Sequence, residues 1–181
     1  MFAGLDPGTS NLYGVVLNRE GIVVEKTDLG GYSLPKTASH RQHAERNKVI
    51  TDNAFRFLLR HQPEAWCLEG YSYGSKHHAH QLGEVGGVLR YRALHFASKG
   101  RLPFPHIVPP NTLKKFVTGR GGGKGTDKVA VAVACERLWG IPMPSEHGYD
   151  ALVLAQLARA ACGAYPGLLK YQATALQALE L

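Results

Sequence analysis

Three acids in this 181-residue chain stand where a carboxylate is costly unless something uses it. Asp6 closes a short apolar run and is followed by the tight turn Pro7-Gly8. Glu69 closes the run Ala65-Trp66-Cys67-Leu68 just before Gly70-Tyr71-Ser72-Tyr73-Gly74. Asp150 comes three residues after His147 and four after Glu146, a spacing that puts all three on one helix face. Two unit charges 4 Å apart repel by roughly 4 kcal/mol at an effective dielectric near 20. Three converging carboxylates would therefore resist folding unless a cation offset them. Oxygen-rich sets of this kind select Mg²⁺ or Mn²⁺, and two such ions can activate water and stabilise the leaving oxygen in phosphodiester hydrolysis. The bland alternatives stay open on these residues alone. An Asp before Pro-Gly is ordinarily a turn residue accepting backbone N–H bonds, and the others can be unrelated surface acids.

Whether the acids meet depends on the elements that carry them. Residues 1–5, 13–17 and 22–26 read as strands, the last two joined by the loop Asn18-Arg19-Glu20-Gly21, which predicts an antiparallel opening of three strands. Ile50, Ala54, Phe57, Leu58 and His61 recur at helical spacing and predict a helix over 40–61 with its basic and polar residues outward, ended by Pro63. A buried strand over 65–68 follows, then a helix marked by Leu82, Val85, Leu89, Ala93 and Phe96 with Gly100 as its stop. Ile107-Val108 is a brief strand, after which Asn111 is expected to cap a short helical turn. Thr126 is expected to cap a helix to about Leu138 with Asp127 in its first turn, and Ser145 to cap a last long helix to Ala161. That helix is expected to pack through the stripe Leu154, Leu157, Ala158 and Ala161.

This order fits an α/β fold, a five-stranded mixed sheet flanked by helices. If the first and fourth strands are parallel neighbours, Asp6 and Glu69 lie side by side at the carboxyl edge, where open α/β sheets place their ligands. One domain is expected over residues 1–165, with 166–181 a C-terminal tail forming a short helix on the domain or on a partner subunit.

Lysine and arginine supply a complementary feature. The formal net charge is +7, so large anions are attracted and nucleic acid leads the partner classes. Lys114, Lys115, Arg120, Lys124 and Lys128 cluster around the glycine-rich loop, and Lys76, Arg90 and Arg92 belong to the second helix region. Such a band suits phosphate contacts, although a charge run is also what a solvated face looks like. The loop fails the spacing of a nucleotide-binding P-loop, because Lys124 is followed by Gly125 and the position five before Gly123 is Thr118, so no nucleotide cofactor is expected. Asp6-Pro7-Gly8-Thr9-Ser10 also resembles the phosphate loop of actin-like and sugar-kinase folds, but the chain is too short for that two-domain architecture.

Cys67, Cys135 and Cys162 show no CxxC or zinc spacing and read as reduced core residues of a cytoplasmic protein. No signal peptide and no membrane span are expected.

Taken together, these segments resemble the RuvC-type Holliday junction resolvases of the ribonuclease H-like superfamily. The resemblance runs through Gly4-Leu5-Asp6-Pro7-Gly8, Leu68-Glu69 and Gln81-Leu82-Gly83-Glu84-Val85-Gly86-Gly87. It continues through Pro110-Asn111-Thr112-Leu113-Lys114-Lys115-Phe116-Val117-Thr118-Gly119 to Asp150-Ala151-Leu152-Val153-Leu154-Ala155. It implies a ribonuclease H-like nuclease domain and a homodimer that binds four-way or other branched DNA. It also implies two symmetric cuts made with divalent metal, two ions of Mg²⁺ or Mn²⁺ per active site, leaving 5′-phosphate ends. Asp6, Glu69 and Asp150 match the family's acidic positions as catalytic and metal-binding residues. The fourth position, often Asp in the family, is His147 here, with Glu146 its rival. An aromatic that follows the second acid and contacts unstacked bases at the crossover would be Tyr71 or Tyr73. The departure at His147 keeps alive an alternative, a branched-DNA-binding protein of weak or no catalytic activity on the same fold.

Overall fold

The computed structural model describes residues 1–70 and 79–179. Five strands, β1 (Phe2–Pro7), β2 (Leu12–Leu17), β3 (Val23–Asp28), β4 (Ala65–Glu69) and β5 (His106–Val108), form one sheet in the order β3-β2-β1-β4-β5. The first three are antiparallel, as the strand pattern predicted, whereas β4 runs parallel to β1, the pairing that the convergence of Asp6 and Glu69 required, and β5 parallel to β4. β1 and β2 are buried along almost their whole length because both faces of the sheet are covered, while β3 alternates half-buried and exposed residues as an edge strand does.

Helices α1 (His40–His61) and α2 (Ala79–Ala97) cover one face. Phe55, Phe57, Leu58, Leu89 and Phe96 pack there against Leu5, Val16, Trp66 and Leu68. The opposite face carries α3 (Pro110–Thr118), α4 (Lys128–Trp139), α5 (Glu146–Ala161) and α6 (Lys170–Gln177). The tail helix α6 packs against α3 and places Ala175 and Leu179 in that core.

Several local expectations give way to tertiary structure. The last long helix buries every residue from Ala151 to Ala160, because it lies between the sheet and the α3–α4 layer, so it has no single packing stripe. Its approach to β1 depends on Gly4. A Cβ there would stand 2.1 Å from the Ala151 carbonyl oxygen and 2.4 Å from the Ala155 nitrogen.

The caps of two helices shift. Asp127, not Thr126, caps α4 by accepting the Ala130 N–H at 2.9 Å, while the Thr126 hydroxyl donates to the Gly123 carbonyl. The residue before α3 is Pro109, and Asn111 lies inside that helix without a capping bond. Ser145 does cap α5, and Ser39 closes a capping box with Gln42 on α1. On α1, Arg46, Asn47 and Thr51 are buried, not outward, because α2 and the segment after β3 cover that side. Arg92 leaves the expected DNA band for the same reason. It pairs with Asp52 and lies over the rings of Phe55 and Phe96, tying α2 to α1. Cys67 and Cys135 are buried, but Cys162 is exposed just beyond α5. Among the described residues no helix is long and apolar enough to cross a membrane.

Candidate active site

The parallel pairing of β1 with β4 matches Leu5 with Leu68, so Asp6 and Glu69 follow on adjacent strands at the same edge of the sheet. Each ends a run whose side chains are wholly buried, and the carboxylate comes where the strand leaves the core. The close passage of α5 over Gly4 brings the first turns of that helix to the same edge. His147 Nδ1 lies 2.7 Å from Asp6 Oδ2. Glu146, its rival in the sequence, lines the cleft beside Glu69 and Asp150 and forms an ion pair with Lys128.

The electrostatics record the convergence. Burial pushes Glu69 well above the ordinary carboxylate range, and the charge of Asp6, a hydrogen bond with Asp6 and the charge of Asp150 push the same way, with Lys114 opposing. Asp150 is raised to about 7, first by burial and then by the charge of Asp6, against the pull of His147, Lys128 and Lys114. His147 is raised by its hydrogen bond to Asp6, with burial opposing. Burial and the charge of Asp6 therefore both impede ionisation of Glu69 and Asp150. Asp6 itself is 3% exposed. Among the described residues no three His, Cys, Asp or Glu side chains are already spaced as a coordination sphere. The Asp6–His147 bond occupies a donor pair that a metal would have to part.

A cleft of about 250 Å³ opens beside the acids. Glu69, Asp150, Lys114, Lys128, Thr126 and Glu146 line it. Of the basic residues singled out in the sequence, Lys114 on α3 and Lys128 at the start of α4 reach this cleft, whereas Arg120 and Lys124 sit on the exposed glycine-rich loop. Lys115 is half-buried on α3. Tyr71, Tyr73 and Lys76 lie outside the described residues. Thr126 and Pro110 were not legible as lining residues. Thr126 reads as a helix cap, and only its place between Lys124 and Lys128 hinted at the cleft.

Such a cleft can hold a divalent cation on its acid side and an anionic group against its lysines. No family model matches the chain. It is 27% identical over 161 residues to the crossover junction endodeoxyribonuclease RuvC of Sorangium cellulosum, a match covering 88% of this chain and 84% of that protein. It is 32% identical over 156 residues to the crossover junction endodeoxyribonuclease RuvC of Protochlamydia amoebophila, covering 84% of this chain and 86% of that protein. Among solved structures, Thermus thermophilus RuvC superposes with a TM-score of 0.63 at 25% identity, covering 89% of this chain and 95% of its own. The T. thermophilus RuvC structure in complex with Holliday junction substrate gives the same TM-score at 23% identity, over 91% and 98% of the two chains, a likeness of fold. The sheet order and helix layers are those of a ribonuclease H-like fold.

Proposed function

This chain belongs to the RuvC family of crossover junction endodeoxyribonucleases, and on that premise we propose that it resolves four-way DNA junctions by paired, metal-dependent phosphodiester hydrolysis that leaves 5′-phosphate ends. The observation that carries the reading is the convergence of Asp6, Glu69, Asp150 and His147 at one sheet edge beside Lys114 and Lys128.

The donor set fits hard divalent cations. Three carboxylates and one imidazole suit Mg²⁺ or Mn²⁺, and the upward push that burial and the charge of Asp6 exert on Glu69 and Asp150 would be offset by positive charge among them. Asp6, Glu69, Asp150 and His147 would hold two ions, Asp6 contributing as the central, most buried member. The chemistry such ions supply is activation of a water molecule and stabilisation of the leaving oxygen.

The protein's own part is placement and charge. Lys114 and Lys128 set positive charge on the wall facing the acids, where the scissile phosphate would lie. The Lys128–Glu146 pair is solvent-exposed and correspondingly weak, so Lys128 can exchange that carboxylate for a phosphate oxygen. His147 Nδ1 lies on Asp6 Oδ2, and with a cation bound both side chains would be available to it as ligands. Lys115, Arg120 and Lys124 contact the backbone of the junction arms, and Lys76 with Tyr71 or Tyr73 the unstacked crossover.

Two symmetric cuts require two copies of the site. The homodimer is supported by α2, whose Gly87, Val88, Tyr91 and Leu94 recur at helical spacing on an outer face. Tyr91 is 77% and Leu94 58% exposed, an unusual apolar outlay for a monomer. Incubating the purified protein with a synthetic four-way junction in Mg²⁺ or Mn²⁺ tests the reading. Paired nicks of symmetric position are expected, and binding without product in both metals would refute it.

A further inference from the structure

On the side of β1 away from the acid cleft, the structure buries a cation that no anion among the described residues pairs with. Arg46, in the second turn of α1, is 2% exposed. Among the described residues its hydrogen bonds go to one neighbouring amide oxygen, Asn47 Oδ1, at 3.3 and 3.4 Å. A guanidinium carries five N–H donors, and those two bonds engage Nε and one Nη2 hydrogen. No Asp or Glu pairs with it among the described residues, and residues 71–78 contain neither. One turn earlier, His43 Nδ1 is buried and has no hydrogen-bond partner among the described residues. A buried charge and a buried ring nitrogen left unmatched are costly, which is a reason to look for what matches them.

Both side chains line a cavity of about 210 Å³ whose other walls carry Thr9, Ser10, Ser33 and Lys36. No acidic side chain lines it, and the first turn of α1 has none either. Glu84 of α2 lines the adjoining cavity with His43, not this one. The walls are pinned. Gly31, at φ 153°, lies so close to the turn after β1 that a Cβ would stand 2.2 Å from the Ser10 carbonyl oxygen. Leu29 N donates to the Leu12 carbonyl at 2.8 Å, and Asn53 Nδ2 to the Leu29 carbonyl at 2.7 Å. Arg46 forms the base, and exposed Ser33 and Lys36 form the rim.

From this geometry we propose that Thr9, Ser10, Ser33, Lys36, His43 and Arg46 form a second phosphate site, which seats a backbone phosphodiester of the bound DNA away from the scissile bond. The cavity is smaller than the roughly 300–1,000 Å³ of sites that enclose a whole small molecule, so it suits one phosphate of a polymer better than a free nucleotide. Hydroxyls and a guanidinium are the groups that bind phosphate oxygens. Thr9 follows Asp6 by three residues on the same turn, so a phosphate held there fixes the DNA relative to the cleft. The identity of the anion as DNA rests on the nuclease reading, while the existence of the site does not.

Two measurements on the full-length protein separate those dependencies. Thermal unfolding in inorganic phosphate is compared with chloride at equal ionic strength, for the wild type, Arg46→Met and Lys36→Gln. Four-way junction binding in Ca²⁺ is then measured over a range of salt. We expect phosphate to raise the wild-type melting temperature, and both variants to lose most of that gain. Both should bind the junction about three- to tenfold more weakly, with a salt slope lower by about one. No phosphate-specific gain in the wild type overturns the site. Wild-type affinity and slope in the variants overturn its role toward DNA. Should Arg46→Met fail to fold, Lys36→Gln on the exposed rim decides alone. A wild type that responds to phosphate but binds no junction keeps the site and refutes the nuclease reading instead.

Discussion

His147 Nδ1 and Asp6 Oδ2 stand 2.7 Å apart although 141 residues separate them in the chain. The contact joins the end of the first strand to the first turn of the fifth helix, and it sets His147 on Asp6 while Glu146 pairs with Lys128 on the cleft wall. Imidazole is a softer donor than carboxylate, so its presence should be felt in the choice of metal. Replacing His147 by Asp is expected to move the ratio of Mg²⁺- to Mn²⁺-supported cleavage severalfold toward Mg²⁺. His147→Ala should lower the rate by about ten- to a hundredfold in either metal. Initial rates on a labelled junction check both, and an alanine variant of wild-type rate would remove His147 from the site.

Gly4 determines how closely α5 lies on the sheet, and thereby whether Asp150 reaches Asp6. The atoms a Cβ would strike, the Ala151 oxygen at 2.1 Å and the Ala155 nitrogen at 2.4 Å, are backbone and cannot swing aside. Gly4→Ala is expected to cost about 2–4 kcal/mol, and to reduce cleavage even at temperatures where the variant stays folded. Urea denaturation measures the first and junction cleavage the second.

The acid cluster predicts an inverted pH response in metal-free protein. Asp150 is raised to about 7, and Glu69 is raised as well. Above about pH 4 the unfolded chain releases protons that the folded chain retains, so these groups stabilise at low pH and that contribution is lost as pH rises toward 7 and beyond. In EDTA the melting temperature should fall between pH 5.5 and 8, and the fall should be shallower in Asp150→Asn. Saturating Mg²⁺ or Mn²⁺ should raise it more at pH 8 than at pH 5.5. Melting curves at the two pH values check this, and a metal gain independent of pH would contradict it.

The outer face of α2 is expected to carry the homodimer contact. Tyr91→Glu with Leu94→Glu places two charges on that face without touching the buried core. Sedimentation should show a monomer with wild-type helix content, and junction nicks should become unpaired. A dimer that survives both substitutions would move the interface elsewhere.

Much of this architecture was legible in the sequence because its signals are local. Short apolar runs gave the strands, and Asp6 and Glu69 stood out because each closes such a run. The order of elements allowed β1 to pair with β4, and the sheet does so. What could not be read depended on layers meeting. Periodicity assumes that a helix has one dry face, so it found a stripe on α5, although the near-continuous apolar run over 151–160 was a sign of burial all round. Arg46 looked like an ordinary exposed helix arginine, since nothing near it in the sequence shows that α2 and the segment after β3 close over it. Arg92 was assigned to DNA for the same reason, its partner Asp52 being 40 residues away. Glu146 and His147 share a helix face by spacing, and only the folded chain gives them different partners, Lys128 for Glu146 and Asp6 for His147.

Asp6 is expected to hold metal for hydrolysis and to be dispensable for holding DNA. Asp6→Asn keeps the size and most hydrogen bonds of the side chain while removing its charge. Cleavage and binding of one synthetic four-way junction, measured on that variant in Mg²⁺ or Mn²⁺ and in Ca²⁺ respectively, test the claim most directly. We expect cleavage to fall below detection while the dissociation constant stays within about threefold of wild type. Retained cleavage by Asp6→Asn would contradict the account.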